Sequence, residues 1–172
     1  MKINVAKSNK QIGDVFPFHY TVSGEQLGLE SDASWEKSSI IVDGEVVNNG
    51  QHLEVRGLIK STGCFVCSRC LDAMSCGLEV PFSERFLAEG SESDNEDIVF
   101  YSGDEIDIQD LIRESLLLAE PLTPVCKEEC QGLCPVCGMN LNAATCSCDR
   151  TPIDPRLAVL TKLLFKSEDK AK

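Results

Sequence analysis

The sequence predicts an α+β protein: an antiparallel β-rich body, then a helix, a cysteine-rich zinc-binding loop and a closing helix. Three observations support this class. Segments rich in β-branched residues fill the first hundred positions, helical periodicity begins only near residue 107, and six of the ten cysteines lie within residues 126–148. At 172 residues and 42% hydrophobic content, the chain can build one core together with a small metal-stabilised appendage.

The expected strands are short segments of β-branched and aromatic residues bounded by turn formers. They lie at residues 15–22, 40–42, 45–47, 53–59, 78–86 and 98–101. Asn48-Asn49-Gly50 predicts a hairpin, because Asn-Gly accommodates the positive φ angles of a type I′ turn. Pro17 and Pro81 should lie at sheet edges or strand ends, because proline cannot donate a ladder hydrogen bond.

Two helices are expected in the second part of the chain. The first covers residues 107–120, with Asp107 as its N-cap, apolar residues at helical spacing and Pro121 ending it. The second begins with Asp154 as N-cap and Pro155 in the first turn, and its leucines share one face. The predicted organisation is therefore a β-rich body at 1–103, with a mobile acidic loop at 89–97. Residues 104–172 hold the helices and the cysteine loop and form one compact domain with the first part.

The sequence Cys134-Pro-Val-Cys137-Gly138 has the form of a zinc knuckle, in which two thiolates bind one ion and backbone N–H groups point at the sulfurs. The six cysteines of residues 126–148 offer more thiolates than the four that one structural zinc requires. The preferred ligands are Cys126, Cys130, Cys134 and Cys137, with Cys146 and Cys148 as alternates. Spacing alone leaves this choice open.

The other cysteines form a looser group with three possible roles. Cys64, Cys67 and Cys70 give two overlapping C-x-x-C pairs, and Cys76 is expected to be an ordinary buried residue. Cys67 and Cys70 are a possible second metal-binding pair, a thioredoxin-like redox pair, or structural thiols in a hairpin. A redox pair would favour the start of a helix, where the thiol pKa falls, whereas the flanking residues here predict strands and a turn.

The remaining sequence argues against an enzyme. His19 and His52 lie far from the cysteines in strand-like segments, and no nucleophile–base pattern or phosphate-binding loop is present. Neither a secretory signal nor a membrane-spanning run is apparent, so a cytoplasmic location is expected, where clustered cysteines usually bind metal. We expect no small-molecule substrate.

The charge distribution favours a basic partner. The net charge is −12, and residues 84–120 contribute −10 because twelve acids face two arginines. Such a chain is a poor sequence-independent RNA binder, which leaves direct RNA contact open. A nucleic-acid-binding zinc ribbon remains the alternative, with Arg150, Arg156, Lys162 and Lys166 as weaker candidates for RNA contacts than for a solvated helix face.

Several segments resemble the bacterial YceD family, whose members are described as large ribosomal RNA subunit accumulation proteins. The longest reads C-K-E-E-C-Q-G-L-C-P-V-C-G-M-N-L-N at 126–142, followed by C-S-C and I-D-P-R-L-A-V-L. Upstream, C-S-R-C-L, V-P-F-S-E and D-L-I-R-E-S-L-L-L-A-E-P-L also match. The resemblance implies a non-enzymatic factor in ribosome biogenesis. It also implies a basic ribosomal protein or a pre-ribosomal particle as partner, since the family's gene often neighbours that of a small zinc-binding ribosomal protein.

Overall fold

A computed structural model describes residues 1–29, 34–35, 38–91 and 97–149 of the chain. The strands are β1 (Lys2–Asn4), β2 (Val15–Ser23), β3 (Ser39–Asn48), β4 (Leu53–Val66), β5 (Ala73–Ala88), β6 (Val99–Tyr101) and β7 (Glu105–Asp107). They are followed by helix α1 (Gln109–Leu118), and short 3-10 turns cover Ser8–Lys10 and Glu25–Leu27. The predicted α+β class is confirmed. The closing helix from Asp154 and most of the acidic loop lie outside the described residues.

In the described residues, β2 to β6 form a five-stranded sheet in chain order, while β1 and β7 pair separately. Neighbouring strands are antiparallel except β5 and β6, which run parallel, so the predicted antiparallel body is mixed at one edge. Pro17 lies on the edge strand β2, and Pro81 lies where β5 is paired only with β4. Both prolines therefore occupy the edge positions that the sequence predicted.

One face of the sheet is apolar and buried, and the other carries charged residues. Ile40 and Val42 on β3 alternate with exposed neighbours, which is the pattern of a sheet with one solvated face. Trp35 is completely buried, packs edge-to-face on Phe65 with ring centroids 5.8 Å apart, and donates an indole N–H hydrogen bond to Glu120. Buried residues of α1 complete this core.

The hairpin predicted at Asn48-Asn49-Gly50 forms, but its turn is not type I′. That turn needs positive φ at both central residues, whereas only Gly50, at +89°, has it. The connection is longer because the ladder ends at Asn48 and Leu53. Asn49 Oδ1 accepts hydrogen bonds from the backbone N–H groups of Gln51 and His52, which stabilises this four-residue loop.

The helix begins later than predicted. Its N-cap is Ile108 rather than Asp107, because Asp107 is the last residue of β7 and pairs with Lys2. The Asp107 carboxylate accepts hydrogen bonds from the backbone N–H of Gln109 and from the N-terminal amine, both at 2.9 Å. These bonds lower the pKa of Asp107, against a desolvation that raises it.

Internal contacts divide the chain into two compact units. The larger comprises Met1–Cys67 and Ala73–Pro124, and the smaller comprises Ser68–Asp72 and Val125–Lys172. Helix α1 belongs to the larger unit, so this division does not coincide with the predicted boundary at residues 103–104. The smaller unit combines a short segment between two strands with the cysteine-rich region that lies more than fifty residues later.

The close pairing of β3 and β4 at Gly44 and Gly57 leads to a prediction about stability. A Cβ atom at Gly57 would lie 2.2 Å from the carbonyl oxygen of Asp43, so Gly57→Ala should lower the free energy of unfolding by about 2 kcal/mol. Gly77 is the matched control in β5, because its added Cβ would meet nothing within 4 Å. Gly77→Ala should change stability by roughly 0.5 kcal/mol or less. Urea denaturation of both variants checks this, and equal losses would contradict the packing argument.

Candidate metal centre

The hairpin of β4 and β5 presents the first cysteine pair at its turn. The strand ladder ends at the pairing of Val66 with Ala73, so Cys67 and Cys70 lie in the connection between the strands. Leu71 follows the second cysteine with φ of +61°, the only positive value among the described non-glycine residues. Because this conformation is unfavourable for a residue with a Cβ atom, the surrounding turn must impose it.

A second turn of the same form contains Cys134 and Cys137. Gly138 occupies the position equivalent to Leu71, with φ of +73°, and its N–H donates to the carbonyl of Cys134 at 2.8 Å. The backbone N–H groups of Cys137 and Val136 point at the Cys134 sulfur and lower the pKa of this thiol to about 6. The turn thus has the knuckle geometry that the sequence predicted, with amides stabilising a thiolate.

The cysteines of both turns belong to two groups of four sulfurs. Within each group all Sγ atoms lie within 4.8 Å of one another, and the ten cysteines form no disulfide. The first group, hereafter site A, is Cys67, Cys70, Cys126 and Cys130; the second, site B, is Cys134, Cys137, Cys146 and Cys148. The exposed Cys64 and the half-buried Cys76 belong to neither.

This grouping differs from the ligand set preferred from spacing. Cys126 and Cys130 lie with Cys67 and Cys70, whereas the other two preferred cysteines lie with both alternates. The residue that separates the two groups along the chain is Gly132, which has φ of +71° and approaches Arg69 so closely that a Cβ atom would lie 3.0 Å from its carbonyl oxygen. Of the six clustered cysteines, those before Gly132 join Cys67 and Cys70, and those after it form the second group.

The sulfur separations fit a tetrahedral ion. Zinc–sulfur bonds of about 2.3 Å place neighbouring sulfurs of a tetrahedron about 3.8 Å apart. The Sγ atoms of Cys70 and Cys126 are 3.7 Å apart. Neither group contains a histidine or carboxylate ligand. Four thiolates fill a zinc coordination sphere and leave no open position for a substrate or an activated water, as in structural zinc sites.

Two residues that sequence reasoning did not single out support site A. The Arg69 guanidinium donates hydrogen bonds to the backbone carbonyls of Glu128 and Cys130, each at 3.2 Å. Asn142 donates its side-chain N–H to the Cys130 sulfur at 3.3 Å. This bond, with a backbone N–H from Gly132, lowers the pKa of the Cys130 thiol. In the sequence, the one signal for Arg69 and Asn142 is that both lie in segments that resemble the family.

The thiols of site B differ strongly in acidity. Cys148 has its pKa raised to about 12, chiefly through its contact with Cys137 and through desolvation. In the same group the pKa of Cys134 is lowered. Sulfurs this close together cannot all ionise without a cation, because the thiolates repel one another. A divalent metal would displace the remaining thiol proton and stabilise the thiolates electrostatically. The donor set is thus suited to a thiophilic ion.

The two histidines lie away from both sulfur groups: His19 lies on β2, as the sequence predicted, whereas His52 lies in the loop before β4 rather than in a strand. His19 Nδ1 lies 2.6 Å from Asp43 Oδ1 on the solvated face of the sheet, and the His52 ring contacts the Asn49 side chain at 2.9 Å. Neither belongs to a metal-binding group among the described residues. No helix in that part of the chain is long and apolar enough to cross a membrane.

Comparison with known proteins extends the match along the chain. An uncharacterized protein of Mycobacterium tuberculosis is 32% identical over 98% of this chain and 84% of its own length. Another of Bacillus subtilis, YlbN, is 25% identical over 98% of this chain and 99% of its own. A chloroplastic protein of Zea mays, named Large ribosomal RNA subunit accumulation protein YCED homolog 1, is 25% identical over 70% of this chain and 52% of its own.

No solved structure matches this chain significantly. The family model described as Large ribosomal RNA subunit accumulation protein YceD matches residues 55–164, which include every cysteine of both sulfur groups. The resemblance seen in the sequence is therefore confirmed, and the chain belongs to the YceD family, whose description connects it with the ribosome.

Proposed function

We propose that this protein is a non-enzymatic factor needed for the accumulation of large-subunit ribosomal RNA, acting by binding, with structural zinc at sites A and B. The observation that supports the zinc proposal is that the described residues of the smaller unit bury cysteine side chains rather than large apolar ones. Among its described residues, the buried side chains are those of Cys70, Cys130 and Cys134. A segment that buries little apolar surface needs another source of stability, and metal–thiolate bonds would supply it.

The proposed ligands of site A are Cys67, Cys70, Cys126 and Cys130, and those of site B are Cys134, Cys137, Cys146 and Cys148. Each set offers a closed, all-sulfur coordination sphere. A zinc ion so enclosed contributes folding free energy rather than Lewis-acid chemistry at a substrate. This supports a role by binding. The proposed location is the cytoplasm, where bacterial ribosomes are assembled.

Charge favours a basic ribosomal protein, or a pre-ribosomal particle that exposes one, as the partner. The acidic segment at residues 84–120 supplies the complementary field. The described part of the smaller unit is itself acidic, because Arg69 and Lys127 face four carboxylates. The Arg69 guanidinium is also engaged by backbone carbonyls. Those residues therefore offer little to the alternative of an RNA-binding zinc ribbon; its other candidate cations, from Arg150 onward, lie outside the described residues.

The redox alternative receives no support from the local structure. A reactive C-x-x-C is typically placed at the start of a helix. Cys67 and Cys70 instead lie in the turn between β4 and β5, and both are buried.

The first prediction concerns metal content. The purified protein should contain two zinc ions per chain, and Cys70→Ser and Cys146→Ser should each lose one, because each removes a ligand from a different site. Cys64→Ser and Cys76→Ser are the controls and should retain both, since neither residue belongs to a sulfur group. Zinc measured by mass spectrometry, divided by the protein concentration, gives the number of ions per chain. Zinc-free wild-type protein would refute the metal proposal.

A second prediction compares the two knuckles. Gly138→Ala places a Cβ atom in the left-handed region without a steric contact, so it should cost about 1 kcal/mol, or roughly fivefold in zinc affinity. Leu71→Gly relieves the same conformation in the other knuckle. The relief of this unfavourable conformation is offset because glycine raises the conformational entropy of the unfolded chain. Zinc affinity should therefore change less than twofold. Chelator competition measures both, and a large loss in Leu71→Gly would show that the Leu71 side chain itself is required.

The third prediction tests the cellular role. Depletion of the protein should lower large-subunit ribosomal RNA relative to small-subunit ribosomal RNA, measured by electrophoresis of total RNA. Wild type and Cys64→Ser should restore the ratio, whereas the paired change Cys70→Ser with Cys146→Ser should not, because it removes a ligand from each site. An unchanged ratio after depletion would contradict the proposed function whatever the metal content.

A further inference from the structure

The side chain of Asn142 contacts site A although its chain position lies within site B. In sequence it falls between Cys137 and Cys146, two ligands of site B. In space its Nδ2 atom is 3.3 Å from the Cys130 sulfur of site A. Its Oδ1 atom accepts a hydrogen bond from the backbone N–H of Gln131 at 2.9 Å, which fixes the orientation of the amide.

Asn140 holds this arrangement from the other side. Its Oδ1 atom accepts hydrogen bonds from the backbone N–H of Asn142 at 3.0 Å and from the Asn142 side chain at 3.1 Å. Its Nδ2 atom donates to the carboxylate of Asp72 at 2.9 Å, two residues beyond the site A ligand Cys70. The backbone of Asn140 forms an antiparallel bridge with Leu133, the neighbour of Cys134. The two asparagines are thus bonded to a ligand of site A and to a residue next to a ligand of site B.

Metal at site B would restrict the segment that carries Asn142. Ligation of Cys137 and Cys146 closes a short loop over residues 138–145, and a closed loop samples far fewer conformations than an open one. The Asn142 amide would then be held close to Cys130 before site A is filled. N–H donation to a ligand sulfur stabilises the thiolate form that a metal binds.

We propose that Asn142 is a positioning residue that couples the two metal sites, so that metal at site B raises the affinity of site A. This rests on the proposed metal binding at both sites. Because coupling between binding equilibria is reciprocal, metal at site A raises the affinity of site B by the same factor. The two sites then bind their ions cooperatively.

A double-mutant cycle on the full chain tests the coupling. Zinc affinity of site A is measured by chelator competition in wild type, in Asn142→Ala, in a variant lacking site B (Cys146→Ser with Cys148→Ser), and in the combination. Loss of site B and loss of Asn142 should each weaken site A about tenfold, as typical for a residue that supports a ligand. The combination should be no weaker than either. The proposal would be overturned if the losses of zinc affinity multiply in the combined variant. It would also be overturned if site A keeps its affinity when site B is removed.

Cadmium-113 resonance spectroscopy of the fully loaded protein gives a second measurement that does not depend on removing a site. Wild type should show two resonances, one per site. Asn142→Asp keeps the acceptor for the Gln131 N–H but loses the donor to the sulfur, so it should shift one resonance and leave the other. Gln131→Ala is the matched control, since Gln131 is adjacent to Cys130 and the bond to Asn142 uses its backbone; it should shift neither. Unshifted resonances in Asn142→Asp would refute the role of Asn142.

These results separate the two proposals. Fewer than two metal ions bound to wild-type protein would refute the metal sites themselves. Two ions bound with independent affinities would leave the proposed function intact and overturn the coupling alone.

Discussion

The structure of the cysteine region depends on one local constraint: a C-x-x-C turn must aim backbone N–H groups at its first sulfur. Such a turn requires the residue after the second cysteine to enter the left-handed region, as Leu71 and Gly138 both do. Gly138 adopts this conformation at little cost, whereas Leu71 does so against its preference. The first turn is held in place by the register of β4 and β5, which leaves Cys67 and Cys70 in the connection between the strands.

In the described residues of the smaller unit, the buried side chains are cysteines rather than large apolar residues. Cys70 and Cys126 are 56 residues apart in sequence, and their sulfurs are 3.7 Å apart. Closing so long a loop costs several kcal/mol of chain entropy. In the larger unit, residues such as Trp35 and Ile112 are completely buried and offset such costs by apolar burial. The described residues of the smaller unit lack comparable buried side chains, so the proposed metal bonds would have to supply the compensation.

Sequence reasoning predicted those parts of the fold that local patterns encode. Segments rich in β-branched and aromatic residues identified the strands that became β2 to β6. Sequence reasoning missed β1 and β7. Each is only three residues long, and they pair with each other although about a hundred residues separate them in the chain. It also identified the knuckle at Cys134. It could not assign cysteines to groups, because the partners of Cys126 and Cys130 come from a hairpin far upstream and the close approach of Gly132 to Arg69 is a tertiary contact.

The same geometry bears on the kind of partner that the family role requires. A zinc module that grips RNA presents free cations along its surface, because phosphate neutralisation supplies most of the affinity. Here the Arg69 guanidinium donates to main-chain carbonyls beside site A, and acidic residues outnumber basic ones in the described part of the smaller unit. The knuckles also expose apolar side chains: those of Leu71 and Val136 are 63% and 61% exposed. Exposed apolar residues on these turns, within an acidic chain, support the proposed basic protein partner over a phosphate backbone.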